Sequence, residues 1–244
     1  MIPRAGGREL ALFGLAYLLY SAGRFVAIGD MDVAVGNADA IVDAERSLGL
    51  DIEGGVQGAL QGTWLLWLLN HLYLAAQLVV VPGALVWLFR RSRSHYVLLR
   101  NTVLATWLIA LPIYALFPVA PPRLADIGLV DTITTQTGIA LDSKLTTSFY
   151  NPIAAVPSLH AGFAVAVSAA LGAVARRRLT RVVAWLWAPT VCLAVVATGN
   201  HFVADIVAGV VVTVVGYGLG RAVARAASGD RTVVTPVPAL ATSG

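Results

Sequence analysis

The chain has 244 residues, 58% of them hydrophobic and 12% charged, with a formal net charge of +4 at pH 7. That balance excludes an ordinary soluble domain, in which about 25% of residues are charged. The single cysteine, Cys192, excludes a disulfide within one chain. The arginines cluster beside apolar runs, where membrane topology explains them, so no nucleic-acid partner is implied.

Apolar runs of roughly 20 residues, the length that spans a bilayer, predict six helices over about 10–28, 64–89, 97–117, 155–175, 182–198 and 202–219. The expected fold is all-α: a polytopic six-helix membrane bundle, one domain over 1–227, followed by a small, polar, proline-dotted tail at 228–244. Arg4 and Arg8 ahead of the first run would suit a secretory signal. Arg24 near its far end and the lack of a small-x-small cleavage site favour a retained anchor. Basic residues around Arg8, Arg91, Arg177 and Arg225 fall on one side of such a bundle, which makes both termini cytoplasmic and puts 29–63 and 119–154 outside.

The first outer segment holds IVDAERSLGLDIEGGVQGALQ. Its apolar residues Ile41, Val42, Leu48, Ile52, Val56 and Leu60 recur at helical spacing with acids between them, which predicts an interfacial helix. Glu45 and Arg46 read as a local ion pair on it, with a lipid headgroup as the alternative partner. The second span carries Asn70, His71 and Tyr73 in LLNHLYLAAQ, about two turns from its outer end, for which a buried interhelical hydrogen bond competes with substrate contact.

Three segments far apart in sequence deliver polar groups to the outer side. The third span ends in FPVAPPRL, so Arg123 lies just past its outer end; the fourth begins with AVPSLHAG, carrying Ser158 and His160; the sixth begins with GNHFVAD, carrying His201 and Asp205. Each has a plain reading taken singly: Arg123 as an interfacial anchor, Ser158 as a helix cap, a histidine as a tolerated surface group. Asp205 is harder to dismiss, because an ionisable group within an apolar run is costly and marks function by default. His201 stands four residues before it, on the same helix face. A carboxylate that accepts one imidazole N–H leaves the other nitrogen unprotonated, as a nucleophile or base requires. Pro157 fits the first position of the fourth helix, whose next free N–H groups would face an anion.

A serine hydrolase is disfavoured, since there is no G-x-S-x-G turn and Ser158 and His160 do not share a helix face. A metal site of His160, His201 and Asp205 stays open by ligand type, although no H-E-x-x-H or cysteine pairing supports it. Arginine, serine and helix N-termini are phosphate-binding groups, so phosphoryl transfer fits best. A non-enzymatic transporter or lipid-binding protein for anionic headgroups is the competing class.

PPRL at 121–124, PSLH at 157–160 and GNHFVAD at 199–205 resemble the type 2 phosphatidic acid phosphatase superfamily of membrane lipid phosphatases and phosphotransferases. The form of these segments is closer to the branch containing fungal inositol phosphorylceramide synthase. The resemblance implies that His201 is the nucleophile, forming a phosphohistidine, that Asp205 orients it and that His160 protonates the leaving oxygen. Ser158 and Arg123 would hold the nonbridging oxygens. It further implies a lipid phosphate substrate, water or an alcohol such as inositol as acceptor, no metal or organic cofactor, and a site on the extracytoplasmic face of the cytoplasmic membrane. Leu116 and Leu124 replace the lysine and proline of the family's first motif, and Val195 the arginine of its third. His71, Lys144, Asn151, Thr198 and Asn200 are the polar residues near enough to take over such contacts, beside Asn70 and Tyr73.

Overall fold

The computed structural model describes residues 6–7, 9, 11–15, 18, 30–141, 143 and 151–228. Its helices are α1 (Met31–Leu48), α2 (Glu53–Leu60), α3 (Trp64–Arg91), α4 (Arg93–Leu116), α5 (Thr132–Thr137), α6 (Leu159–Val174), α7 (Arg178–Ala197) and α8 (Val203–Ser228). Among the described residues α3, α4, α7 and α8 are long and apolar enough to cross a membrane, which fits a multi-pass membrane protein. The expected first span at 10–28 lies largely outside the described residues, as do Lys144 and 229–244.

The fourth expected span is shorter than its apolar run. Helix α6 has 16 residues, about 24 Å at 1.5 Å per residue, against a hydrocarbon core of about 30 Å. Residues 155–158 stay outside the helix, which Ser158 caps, its Oγ accepting from Ala161 N at 3.3 Å. Pro157 therefore precedes the cap rather than occupying the first helical position, and its carbonyl accepts the Tyr114 hydroxyl at 2.7 Å. Ser158 is fully buried, so α6 starts inside the bundle rather than at its rim.

The segment expected to form one interfacial helix forms two. Asp30 caps α1, accepting from Asp32 N at 2.8 Å, and Gly49, at φ 68°, ends it in the left-handed region that glycine tolerates. Its inward stripe is Ala34, Ala38, Val42 and Glu45, packed toward Val119, Ala120, Ala125 and Phe202. Leu48 and Ile52 are exposed instead. The small residues let α1 lie close on the bundle, so the apolar pattern that read as membrane-facing is partly left on the surface.

Helix α3 widens into a π turn over Ala76–Val80, directly before Pro82. Proline lacks an N–H and its ring crowds the preceding turn, and the wider turn accommodates both. Helix α8 packs along α4 and α6, and α7 along α6 and α3. At Gly162 and Gly209 the α6 and α8 backbones meet so closely that a Cβ on Gly209 would strike the Ser158 carbonyl, the small-residue contact usual between membrane helices. At the far end, Glu9 accepts from Arg100 at 2.8 Å, Arg93 at 3.1 Å and the Tyr96 hydroxyl at 2.8 Å, which fixes residue 9 beside the start of α4.

Candidate active site

The close approach at Gly209 sets the register of the site. Ser158 N donates to the Asp205 carbonyl at 3.0 Å, so the start of α6 is fastened to the first turn of α8. Upstream of α8 the chain turns at Gly199, with φ 68°; a Cβ there would crowd Gln57, Arg123 and the Val130 carbonyl. Asn200 N and His201 N both donate to the Val195 carbonyl, at 3.1 and 3.2 Å. His201 thus stands on a short, backbone-anchored link between two long helices.

His201 Nδ1 lies 3.1 Å from Asp205 Oδ2, which also accepts Phe202 N at 2.9 Å. The carboxylate can only accept, so Nδ1 carries the proton and Nε2 keeps its lone pair. The imidazole of His160 is 6.1 Å from that of His201, centroid to centroid. It stacks on Tyr73 at 4.1 Å and 17° and donates one N–H to the Tyr73 carbonyl, which leaves its other nitrogen for a reacting oxygen. His201 and Asp205 are buried, while His160 is partly exposed.

Arg123 sits in a short 3-10 turn, Pro122–Leu124, and is buried. Its backbone N donates to the Gly199 carbonyl at 2.9 Å and its Nε to Asn200 Oδ1 at 3.0 Å; Asp131 Oδ2 stands 3.9 Å from Nη1. Asn200 is oriented in turn by Thr198, whose carbonyl and hydroxyl accept from Nδ2 at 3.2 and 2.9 Å. The structure therefore brings Arg123, Ser158, His160, His201 and Asp205 to one end of the bundle, with Tyr73, Thr198 and Asn200 among them. The Ser158 hydroxyl caps α6 and still has its own proton to donate.

Three further candidates make contacts within the chain. Asn70 is fully buried, donating to Gln136 Oε1 at 2.9 Å and accepting from Thr132 Oγ1 at 2.8 Å, and so ties α5 to α3. His71 turns away, donating from Nδ1 to the Trp67 carbonyl of its own helix at 2.8 Å and lying against the Trp67 ring; it bridges no second helix by this bond. Asn151 accepts from Ile153 N at 3.1 Å in a local turn. Arg46 pairs with Asp51 at 3.0 Å, while Glu45 points inward, so the expected Glu45–Arg46 pair does not form.

Sequence reasoning passed over Glu53 and Gln57 and gave Glu45 a different partner. Gln57 accepts from Val130 N and donates to the Val130 and Ala197 carbonyls, at 2.9, 3.1 and 3.3 Å. The available signal was Glu45 falling on the Ala34, Ala38, Val42 stripe of α1, where an acid has no reason to be unless something inside needs it. Among the described residues no group of three or more His, Cys, Asp and Glu is disposed to hold a metal ion.

A family model described as the PAP2 superfamily matches residues 39–219. The chain belongs to the PAP2 superfamily. No curated protein and no solved structure matches. PAP2 superfamily members are generally phosphatases, and membership points to a phosphatase-type activity on lipid phosphates. The matched stretch contains all five converging polar residues and the inward-facing Glu45 and Glu53.

Proposed function

We propose that the protein cleaves a membrane lipid phosphate, phosphodiester or diphosphate through a phosphohistidine on His201 and passes the phosphoryl group to water or to an alcohol such as inositol. The observation that carries this reading is the His201 ring, held by Asp205 at 3.1 Å with a second imidazole 6.1 Å away. Nε2 of His201 attacks phosphorus while the bond to the leaving oxygen breaks, and His160, protonated on both nitrogens, gives that oxygen its free proton. In the second step His160 takes a proton from water or the alcohol, whose oxygen attacks phosphorus as the P–N bond breaks. Arg123, held by Asn200, and the Ser158 hydroxyl stabilise charge on the nonbridging oxygens.

The start of α6 is the end that receives phosphate. The N–H groups at the start of α8 are taken by carboxylates at Phe202, Val203 and Ala204, so that helix start holds the nucleophile's partner Asp205 and is not the anion cradle. Neither step calls for a metal ion or an organic cofactor.

The placement is in the cytoplasmic membrane: six spans, both termini inside, the site on the extracytoplasmic face. Supporting it, Glu9, the α3–α4 turn with Arg90, Arg91 and Arg93, the α6–α7 turn with Arg176 to Arg181 and the end of α8 all gather away from His201, as the positive-inside rule requires.

The test is release of inorganic phosphate from lipid phosphates by the purified, chelator-treated protein, with and without alcohol acceptors. Turnover that disappears in His201→Ala supports the mechanism, and a new phosphodiester lipid without free phosphate identifies a transferase. Turnover that survives His201→Ala rejects the nucleophile, and loss on chelation alone replaces the scheme with a metal-dependent one.

A further inference from the structure

Behind the His201–Asp205 pair lie two acids that the scheme above does not use. Glu45 reaches in from α1 and Glu53 from α2, with only 2% and 1% of their surface exposed. Each holds one backbone N–H of the first turn of α8: Glu53 Oε1 accepts from Val203 N at 2.9 Å and Glu45 Oε1 from Ala204 N at 2.6 Å. Asp205 holds the N–H before them, that of Phe202, at 2.9 Å. Three successive N–H groups, starting right after His201, therefore end on three carboxyl groups from three segments of the chain.

A helix start favours negative charge, but three buried carboxylates side by side repel one another. One oxygen, Glu45 Oε2, is buried and receives no donor, while the Glu53 carboxyl lies within hydrogen-bonding reach of Glu45. A proton on Oε2 resolves both facts, since it gives Glu53 a donor and removes one charge.

We propose that Glu45 and Glu53 are positioning residues for the reaction: a proton-sharing carboxyl clamp, supplied by the two helices ahead of the first long span, that fixes the first turn of α8 and with it the His201 ring against Asp205. This rests on His201 being the nucleophile. His201 stands on a link of irregular chain, and the clamp prevents the N–H groups beyond it from turning to water or to substrate oxygens. Both acids are far from the site in sequence, so the site is complete only when α1 and α2 are seated.

The charges facing Glu45 are Glu53 on α2 and Asp205 on α8, with His201 on the link ahead of α8 paired to Asp205; on its own helix Arg46 is turned to Asp51. Burial, then Glu53 and Asp205, push the Glu45 carboxyl up to about 8, against the Ala204 N–H that holds it down. Above that pH a further negative charge stands beside Asp205, and turnover falls.

The experiment measures kcat, KM and the pH profile of the full-length protein in lipid–detergent micelles, using the lipid phosphate that supports turnover. In Glu45→Ala and Glu53→Ala, kcat falls about ten- to a hundredfold while KM stays within about twofold, the scale expected when a reacting group is displaced. Glu45→Gln keeps the acceptor for Ala204 and cannot ionise, so it restores most of what the alanine loses and abolishes the alkaline fall near pH 8. The clamp is rejected if both alanine variants keep their kcat, or if Glu45→Gln shows the same alkaline fall as the unchanged protein. Should the alanine variants not fold, the glutamine profile decides alone. Turnover surviving in His201→Ala would overturn the underlying mechanism instead, and the two failures are distinct.

Discussion

The two ends of the bundle treat charge in opposite ways. At the end where α3 turns into α4 and α6 into α7, Arg90, Arg91, Arg93, Arg176, Arg177, Arg178 and Arg181 are exposed, while Glu9 is drawn inward with Arg100 beside it. At the other end Arg123, Glu45, Glu53, His201 and Asp205 are all buried. Exposed charge is inexpensive and records which side of the membrane a segment faces. Buried charge is costly and persists only where partners hold it. Chemistry is therefore expected at the end where ionisable groups are enclosed.

The sharpest way to break that contrast is Arg123→Ala. Removing a fixed donor from developing phosphoryl charge should lower kcat by about 10²- to 10³-fold, read in the phosphate-release assay. Asn200→Ala, which frees Arg123 Nε without removing the charge, should cost less, about tenfold.

Gly209→Ala probes the backbone contact that joins α6 to α8. Its Cβ would meet the Ser158 carbonyl, and the overpacking should destabilise the fold by about 1–3 kcal/mol. A lowered thermal midpoint in detergent, with activity lost in parallel, is the expected result.

Buried acids also make stability depend on pH. The unfolded chain releases the Glu45 proton at about 4.5, whereas the folded protein keeps it to about 8. Folding therefore takes up a proton between those values, so this contribution to stability falls as pH rises from 4.5 to about 8 and is level beyond. Thermal midpoints across that range should decline less in Glu45→Gln than in the unchanged protein. The smallest effect belongs to the opposite end: Arg181→Gln, exposed and far from His201, should change turnover by less than about twofold and stability by less than about 0.5 kcal/mol.

Much of the site was legible because its parts are local. His201 and Asp205 are four residues apart, so their pairing was expected from one helix face; the structure makes the same contact from the link ahead of α8 to its first turn, and Ser158 lies at the obvious entrance to an apolar run. The apolar runs also announced the long helices, since a spanning segment must satisfy its backbone internally. The orienting partners were not legible in the same way. Asn200 reads as one more polar residue until Arg123 is found against it, and Tyr73 reads like its neighbour His71 until one stacks on His160 and the other turns to its own helix.

The amino-acid sequence by itself determined an all-helical chain built of bilayer-length apolar helices, the segregation of its arginines and the contact of His201 with Asp205, because hydropathy and short-range spacing act within a few turns. Only the tertiary structure decided that α6 starts inside the bundle, that α1 and α2 lie against the site rather than apart from it, and that Glu45 and Glu53 close on the N–H groups beyond His201. Those outcomes depend on contacts between residues 150 and 159 positions apart. Such contacts form where the small faces of neighbouring helices allow backbones to meet, and no periodicity along the chain encodes that distance.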